Sequence, residues 1–242
     1  MALPKIATPT YELEIPSIKK TIKYRPFLVK EEKVLIIAME SEDSKQIAEA
    51  VKTVITNCIL TSDLDVDQLT TFDIEYLFLN IRGKSVGENV EVLITCPDDG
   101  TTQVPVNVDL DEIKVVFSKE HKKDIKLNNE LSIRMKYPSM SQFVKNNFSF
   151  SNDESSPKVD ETLDIICSCI EQIYDKEETW VATDFSKDEI REFVDQLTSK
   201  QFKEIEKFFD TMPKLSHTIK IKNPNTKVES KVVLEGLNSF FV

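Results

Sequence analysis

Tyr24-Arg-Pro-Phe-Leu-Val-Lys-Glu-Glu-Lys-Val-Leu-Ile-Ile-Ala-Met-Glu-Ser-Glu-Asp43 marks the passage from an extended opening to a helical body. Pro26 has no backbone donor and biases Arg25 towards extended geometry, so a strand should end here. From Lys30 the residues are good helix formers, and Val34-Leu-Ile-Ile-Ala-Met39 is apolar on every side of a helical wheel. A helix apolar all round needs cover all round. Two readings follow. The favoured one makes it the central helix of a core; the other, for a domain too small to wrap it, turns its uncovered side to a partner.

Working outward, Tyr11, Leu13 and Ile15 alternate with Glu12 and Glu14, and Ile22 and Tyr24 with Lys23 and Arg25. This pattern predicts a hairpin through Pro16-Ser-Ile-Lys-Lys20, with an acidic exposed face opposite a basic one. After Asp43 a second helix is predicted, carrying Ile47, Val51, Val54, Ile55 and Cys58 on one side. A third runs from about Val66 to Ile81, and Gly83 reads as its C-cap. The alternation of Val90, Val92 and Ile94 with Val104, Val106 and Val108, around Cys96-Pro-Asp-Asp-Gly100, predicts a second hairpin. Weaker strands are read at Ile113–Phe117 and Leu131–Lys136, with a short helix from Met140 to Asn147.

The Ser-rich stretch 149–158 is the candidate linker. Beyond it, an amphipathic helix starting at Asp160 is expected to carry Leu163, Ile166, Cys167, Ile170, Ile173 and Tyr174 on one stripe. Ser186-Lys-Asp-Glu189 and Thr198-Ser-Lys-Gln201 are capping boxes and open two more helices. A hairpin around Asn223-Pro-Asn-Thr226 closes the chain, so helices followed by a hairpin occur twice; the turn cores Cys-Pro-Asp-Asp-Gly and Asn-Pro-Asn-Thr echo each other, which fits a weak internal duplication or chance. The expected fold is therefore α+β: a mainly helical body with small antiparallel hairpins at the N-terminus, middle and C-terminus. Its expected domains are 1–148 and 159–242, joined by 149–158.

A chain of 242 residues is long enough for a substantial core, and 40% apolar with 30% charged residues is the balance of a soluble globular protein. No apolar run suits a membrane span, and no signal segment opens the sequence. The net charge of −11 is concentrated in residues 151–212, where 17 acidic side chains face 7 basic ones. Such a surface disfavours nucleic acid; ordinary solubility accounts for it, and steering of a basic protein partner or of sister copies head to tail is the other reading.

No motif for chemistry stands out. Gly83-Lys84-Ser85 echoes the end of a phosphate-binding loop, but Phe78 stands where the first glycine belongs. His121 is expected in a solvated polar turn, Lys119-Glu-His-Lys-Lys-Asp124, neither it nor His217 has a nucleophile motif around it, and Cys58, Cys96, Cys167 and Cys169 are scattered. No catalytic residue, metal or cofactor is expected.

Tyr24-Arg-Pro-Phe-Leu-Val-Lys-Glu-Glu-Lys33, Ala38-Met-Glu-Ser-Glu-Asp43, the opening Met1-Ala-Leu-Pro-Lys5, Lys84-Ser-Val-Gly-Glu88 and Leu234-Glu-Gly-Leu-Asn-Ser-Phe-Phe241 together resemble the T4-type bacteriophage baseplate hub assembly proteins. The hairpin turns are where relatives of that family are expected to carry paired cysteines; here Cys96 stands alone and Asn223 takes the corresponding place. The resemblance implies a non-catalytic tail morphogenesis protein, an assembly chaperone acting in the host cytoplasm on baseplate hub or tape-measure components. A structural subunit kept in the virion hub is the alternative, and a small cytoplasmic enzyme without a recognisable motif is the remaining one. Self-association is a further mode of contact. The contact candidates are Phe27, Leu28, Trp180, Phe208, Phe209, Phe240 and Phe241, each of which also admits a place in the core.

Overall fold

Tyr11–Ile15 (β1) and Lys20–Tyr24 (β2) form the expected hairpin, with Glu12 opposite Lys23 and with Ile15, Ile22 and Tyr24 buried. The structure is a computed structural model, and it describes residues 6–41, 43–138, 158–236 and 239. The expected short helix at 140–147, nearly all of the linker, Phe240 and Phe241 lie outside these residues. The described chain divides into two compact units. One takes residues up to Val116 and again from Lys214; the other takes those between Phe117 and Pro213.

In the first unit, β2 leads through Arg25 and Pro26 into α1 (Val29–Glu40), α2 (Ser44–Cys58) and α3 (Thr71–Val86). The one-sided spacing of α2 is realised: Ile47, Val51, Val54, Ile55 and Cys58 are all buried. The central helix is α3, not α1. From Thr71 to Ile81 only Glu75 escapes burial, and α3 touches α2 and the strands Lys114–Val116 and Lys214–Lys222. On α1, by contrast, only Glu31 and Ala38 are buried. An apolar surround calls for cover, but chain topology decides which helix receives it.

The third helix also starts later than expected. Val66–Gln68 is a separate 3₁₀ turn capped by Asp65, and Thr70 with Asp73 caps α3 itself. The fully buried Asp73 carboxylate also accepts from the Ser17 backbone, tying the first hairpin to α3. Gly83 is not the C-cap. It lies inside α3 against Leu110, and Gly87, at φ 141°, ends the helix.

β3 (Asn89–Thr95) and β4 (Gln103–Asp109) form the middle hairpin. β5 (Lys114–Val116) pairs with β10 (Lys214–Lys222), which also pairs with β11 (Glu229–Glu235), giving the antiparallel order β11-β10-β5.

The second unit is a four-stranded antiparallel sheet, β6 (Asp124–Lys126), β7 (Ser132–Met135), β8 (Ile170–Tyr174) and β9 (Thr179–Val181), with α4 (Lys158–Ser168), α5 (Lys187–Asp195) and α6 (Ser199–Thr211). Its core gathers Ile125, Ile133, Met135, Ile170, Ile173 and Phe208 among others. Both capping boxes form as read.

Here the expectation of a mainly helical body fails. The fold is α+β, but eleven strands in four antiparallel sheets stand beside six α-helices among the described residues. The amphipathic helix expected to run through Tyr174 stops at Ser168, and Ile170–Tyr174 crosses into the sheet between β7 and β9. Ile170 and Ile173 are three apart, a spacing that fits a helix. Two β-branched side chains with strands waiting on both sides favour the extended form.

Candidate protein-interaction surface

The start of α1 is fixed by a buried ion pair. Arg25 Nη2 donates to Glu31 Oε1 at 2.9 Å, and Glu31 Oε2 accepts the Leu28 N–H at 2.8 Å, capping the helix where leucine offers no side-chain acceptor. The Glu31 side chain is 2% exposed and that of Arg25 14%. Burial pushes the Glu31 carboxyl up. The hydrogen bonds from Arg25, the Leu28 amide and Lys30 outweigh it and hold the group below the usual carboxylate range. Arg25 N–H also reaches the Cys58 carbonyl at the end of α2, and the Phe27 N–H donates to Ser85 Oγ on α3.

From that anchor the helix turns about 100° per residue. Glu31, Leu35 and Ala38 fall on the inner side. Val29, Ile36 and Ile37 fall on the outer side at 71%, 49% and 63% exposure, flanked by Leu28, Val34 and Met39 at 40–42%. Five apolar side chains of one short helix, and Leu28 at its cap, thus meet solvent. Val86, at the end of α3 beside Ser85, is exposed too.

The residues singled out from the sequence distribute as follows. Leu28 belongs to this surface, and Phe27 beside it is half-buried. Trp180 is half-buried against the core of the second unit, opposite Ile173, and lines an apolar recess of about 400 Å³ with Leu131, Phe185, Ile190 and Phe193. Phe208 is buried among His121, Tyr137 and Phe209, and Phe209 is partly buried edge-on to it. Val29, Ile36, Ile37 and Met39 were not singled out one by one. Their signal was the apolar run itself.

The residues that hinted at chemistry hold structure instead. Lys84 sits within α3 and pairs with Glu88 and Asp111, and the Ser85 hydroxyl donates to the Ile81 carbonyl, so neither is free for a phosphate. His121 is not in a solvated turn. Its Nδ1 lies 3.1 Å from Thr211 Oγ1, its Nε2 3.0 Å from the Tyr137 hydroxyl, and its ring stacks on Tyr137. Burial lowers its pKa, with help from Lys123. An imidazole with both nitrogens engaged is a cross-brace. A groove of about 960 Å³ in the same unit is lined by side chains of both signs, including Lys122, Lys200, Glu120 and Glu204. Among the described residues no cluster of His, Cys, Asp and Glu suits a metal.

The echo between the two hairpin turns is real in the backbone. Gly100 N–H bonds to the Cys96 carbonyl and Lys227 N–H to that of Asn223, with φ of 66° and 65° at the fifth residue of each turn. The turns also meet. The Asn223 amide donates to Asp98 at 3.1 Å and Asp99 at 2.9 Å, Asn225 donates to Thr102 at 3.0 Å, and the Thr226 hydroxyl donates to Asp98. Thr226 and then Asn223 hold the Asp98 carboxyl below the usual range, and Thr102 of the same turn, donating from its hydroxyl and its backbone N–H, is the chief cause for Asp99. A polar clasp thus joins the turns.

The geometry defines an α+β protein that presents an apolar helix face and polar, internally satisfied turns. A family model described as "T4 bacteriophage base plate protein" matches residues 8–242, and the chain belongs to that family. No curated relative and no solved structure matches it. It is thus a phage baseplate-related protein, from a family of structural or assembly components. Among the described residues no helix is long and apolar enough to cross a membrane.

Proposed function

We propose that this chain is a non-catalytic morphogenesis protein that promotes assembly of the baseplate central hub in the host cytoplasm by binding hub or tape-measure components, and that the outer face of α1 is where they bind. The observation that carries the reading is the exposure of Val29, Val34, Ile36, Ile37 and Met39 on a helix whose root is fixed by Arg25–Glu31. Covering a side chain already half out of water contributes roughly 1 kcal/mol, so the face offers about 5 kcal/mol to a partner. That is at the lower edge of what association costs in lost freedom, so a stable complex needs further contacts.

Co-expression with hub and tape-measure proteins followed by affinity capture tests this. The wild type is expected to retain a hub or tape-measure component, and an Ile36→Glu/Ile37→Glu variant with unchanged circular dichroism to lose it. No capture by the wild type, or equal capture by both, overturns the proposal. Presence of the chain in finished, purified baseplates would assign it instead as a retained subunit.

A further inference from the structure

We infer that in the free protein the outer face of α1 is covered by α1 of a second copy, packed antiparallel about a two-fold axis. The inference rests on the reading of α1 as an interaction surface and names its first occupant. On that face two charged residues interrupt the apolar side chains, Lys33 and Glu40, both exposed. Neither has an ion-pair or hydrogen-bond partner among the described residues, whereas nearby Lys30 contacts Glu31. Lys33 and Glu40 are two helical turns apart, about 10 Å along the axis, and point the same way as Val29 and the Ile36–Ile37 pair.

Their order makes the face complementary to itself. With a two-fold axis midway between Ile36 and Ile37, Ile36 lies level with Ile37 of the other copy, and Val34 with Met39. Lys33 then faces Glu40, and Glu40 faces Lys33, so two ion pairs flank one apolar layer. A parallel arrangement would set Lys33 against Lys33 and Glu40 against Glu40. Like charges in a seam disfavour it, so the sequence itself selects the antiparallel form.

Two helices each about 18 Å long bury less than the roughly 1,200 Å² of a lasting interface. The pairing is therefore weak and concentration-dependent, able to mask the face in solution and to give way to a partner with more to offer. Being partly ionic, it weakens with salt.

The test is sedimentation of the purified full chain at low ionic strength, from about 10 to 500 µM, with circular dichroism as a check on folding. The wild type is expected to shift from monomer to dimer. K33E and E40K alone should each raise the dimer Kd about tenfold or more, because each turns two attractions into two repulsions. K33E/E40K should recover the wild-type Kd, and an equimolar mixture of the two single variants should form the heterodimer. A wild type that stays monomeric throughout overturns the inference. So does dimerisation unaffected by either reversal, which would place the contact elsewhere, or a double variant that fails to recover. No baseplate component is present, so failure here leaves the hub proposal to be judged by capture.

Discussion

Replacing Glu31 by glutamine asks how much the root of α1 depends on one charge. Glutamine keeps the length of the side chain and an oxygen to accept the Leu28 N–H, so the cap survives. What is lost is the negative charge beside Arg25. Removing one member of a buried pair costs about 3–5 kcal/mol. Arg25 retains 14% exposure and a hydrogen bond to the Pro26 carbonyl, which places E31Q at or just below that range, about 2–3 kcal/mol. Glu31→Ala also forfeits the cap and should cost about 1 kcal/mol more. Chemical denaturation followed by circular dichroism reads these values, and a cycle with Arg25→Met isolates the pair, whose coupling should exceed about 1 kcal/mol. The sign with pH is fixed by the depressed carboxyl. The contribution is present above the unfolded-state value near about 4.3, and it is lost as pH falls through the lower folded value. The stability gap between wild type and E31Q should therefore close only in acid. A loss under about 1 kcal/mol at neutral pH, or a gap unchanged down to about pH 2, would refute the view that this pair sets α1 in place.

Asn223→Ala opens the clasp between the hairpin turns; a melting temperature lower by about 5 °C is expected, with an acid-unfolding midpoint moved to higher pH because Asp98 and Asp99 lose a donor. Phe208→Ala should cost about 3–5 kcal/mol as a cavity mutation, whereas Leu28→Ala should be nearly neutral to stability, measured by the same denaturation assay. Thiol titration of the native protein should find Cys167 reacting first, because Cys58 and Cys169 are buried, with thiols pushed up to about 11 by that burial, and Cys96 is 1% exposed.

Much of the fold was legible where one local rule spoke alone. The capping boxes at Ser186 and Thr198, the stripe of α2 and the charge-matched first hairpin all folded as their residues require. What misled was periodicity without context. Ile170 and Ile173 suit a helix or a strand, and only strands distant in sequence decide between them. The same holds for the central helix. α3 carries Asp73 and Asn80 inside the protein, each satisfied by local hydrogen bonds, and so looks less apolar than α1, which stays outside. The apolar run of α1 admits a core or a partner face, and the exposure of Val29, Ile36 and Ile37 follows from chain topology that the run itself does not encode. His121 was misplaced because its brace to Thr211 joins residues ninety positions apart.

The pairing of β5 with β10 sets Val115 opposite Leu215 across an intervening excursion of about 100 residues. On a translating ribosome, at roughly 5–20 residues per second, that excursion takes on the order of 5 to 20 seconds. Throughout it the nascent first unit lacks its closing strands, and the side of α3 that will meet β10 stays bare. The intervening unit has time to fold first, so a truncation before Lys214 should yield an aggregation-prone fragment even though most of the chain has already been made.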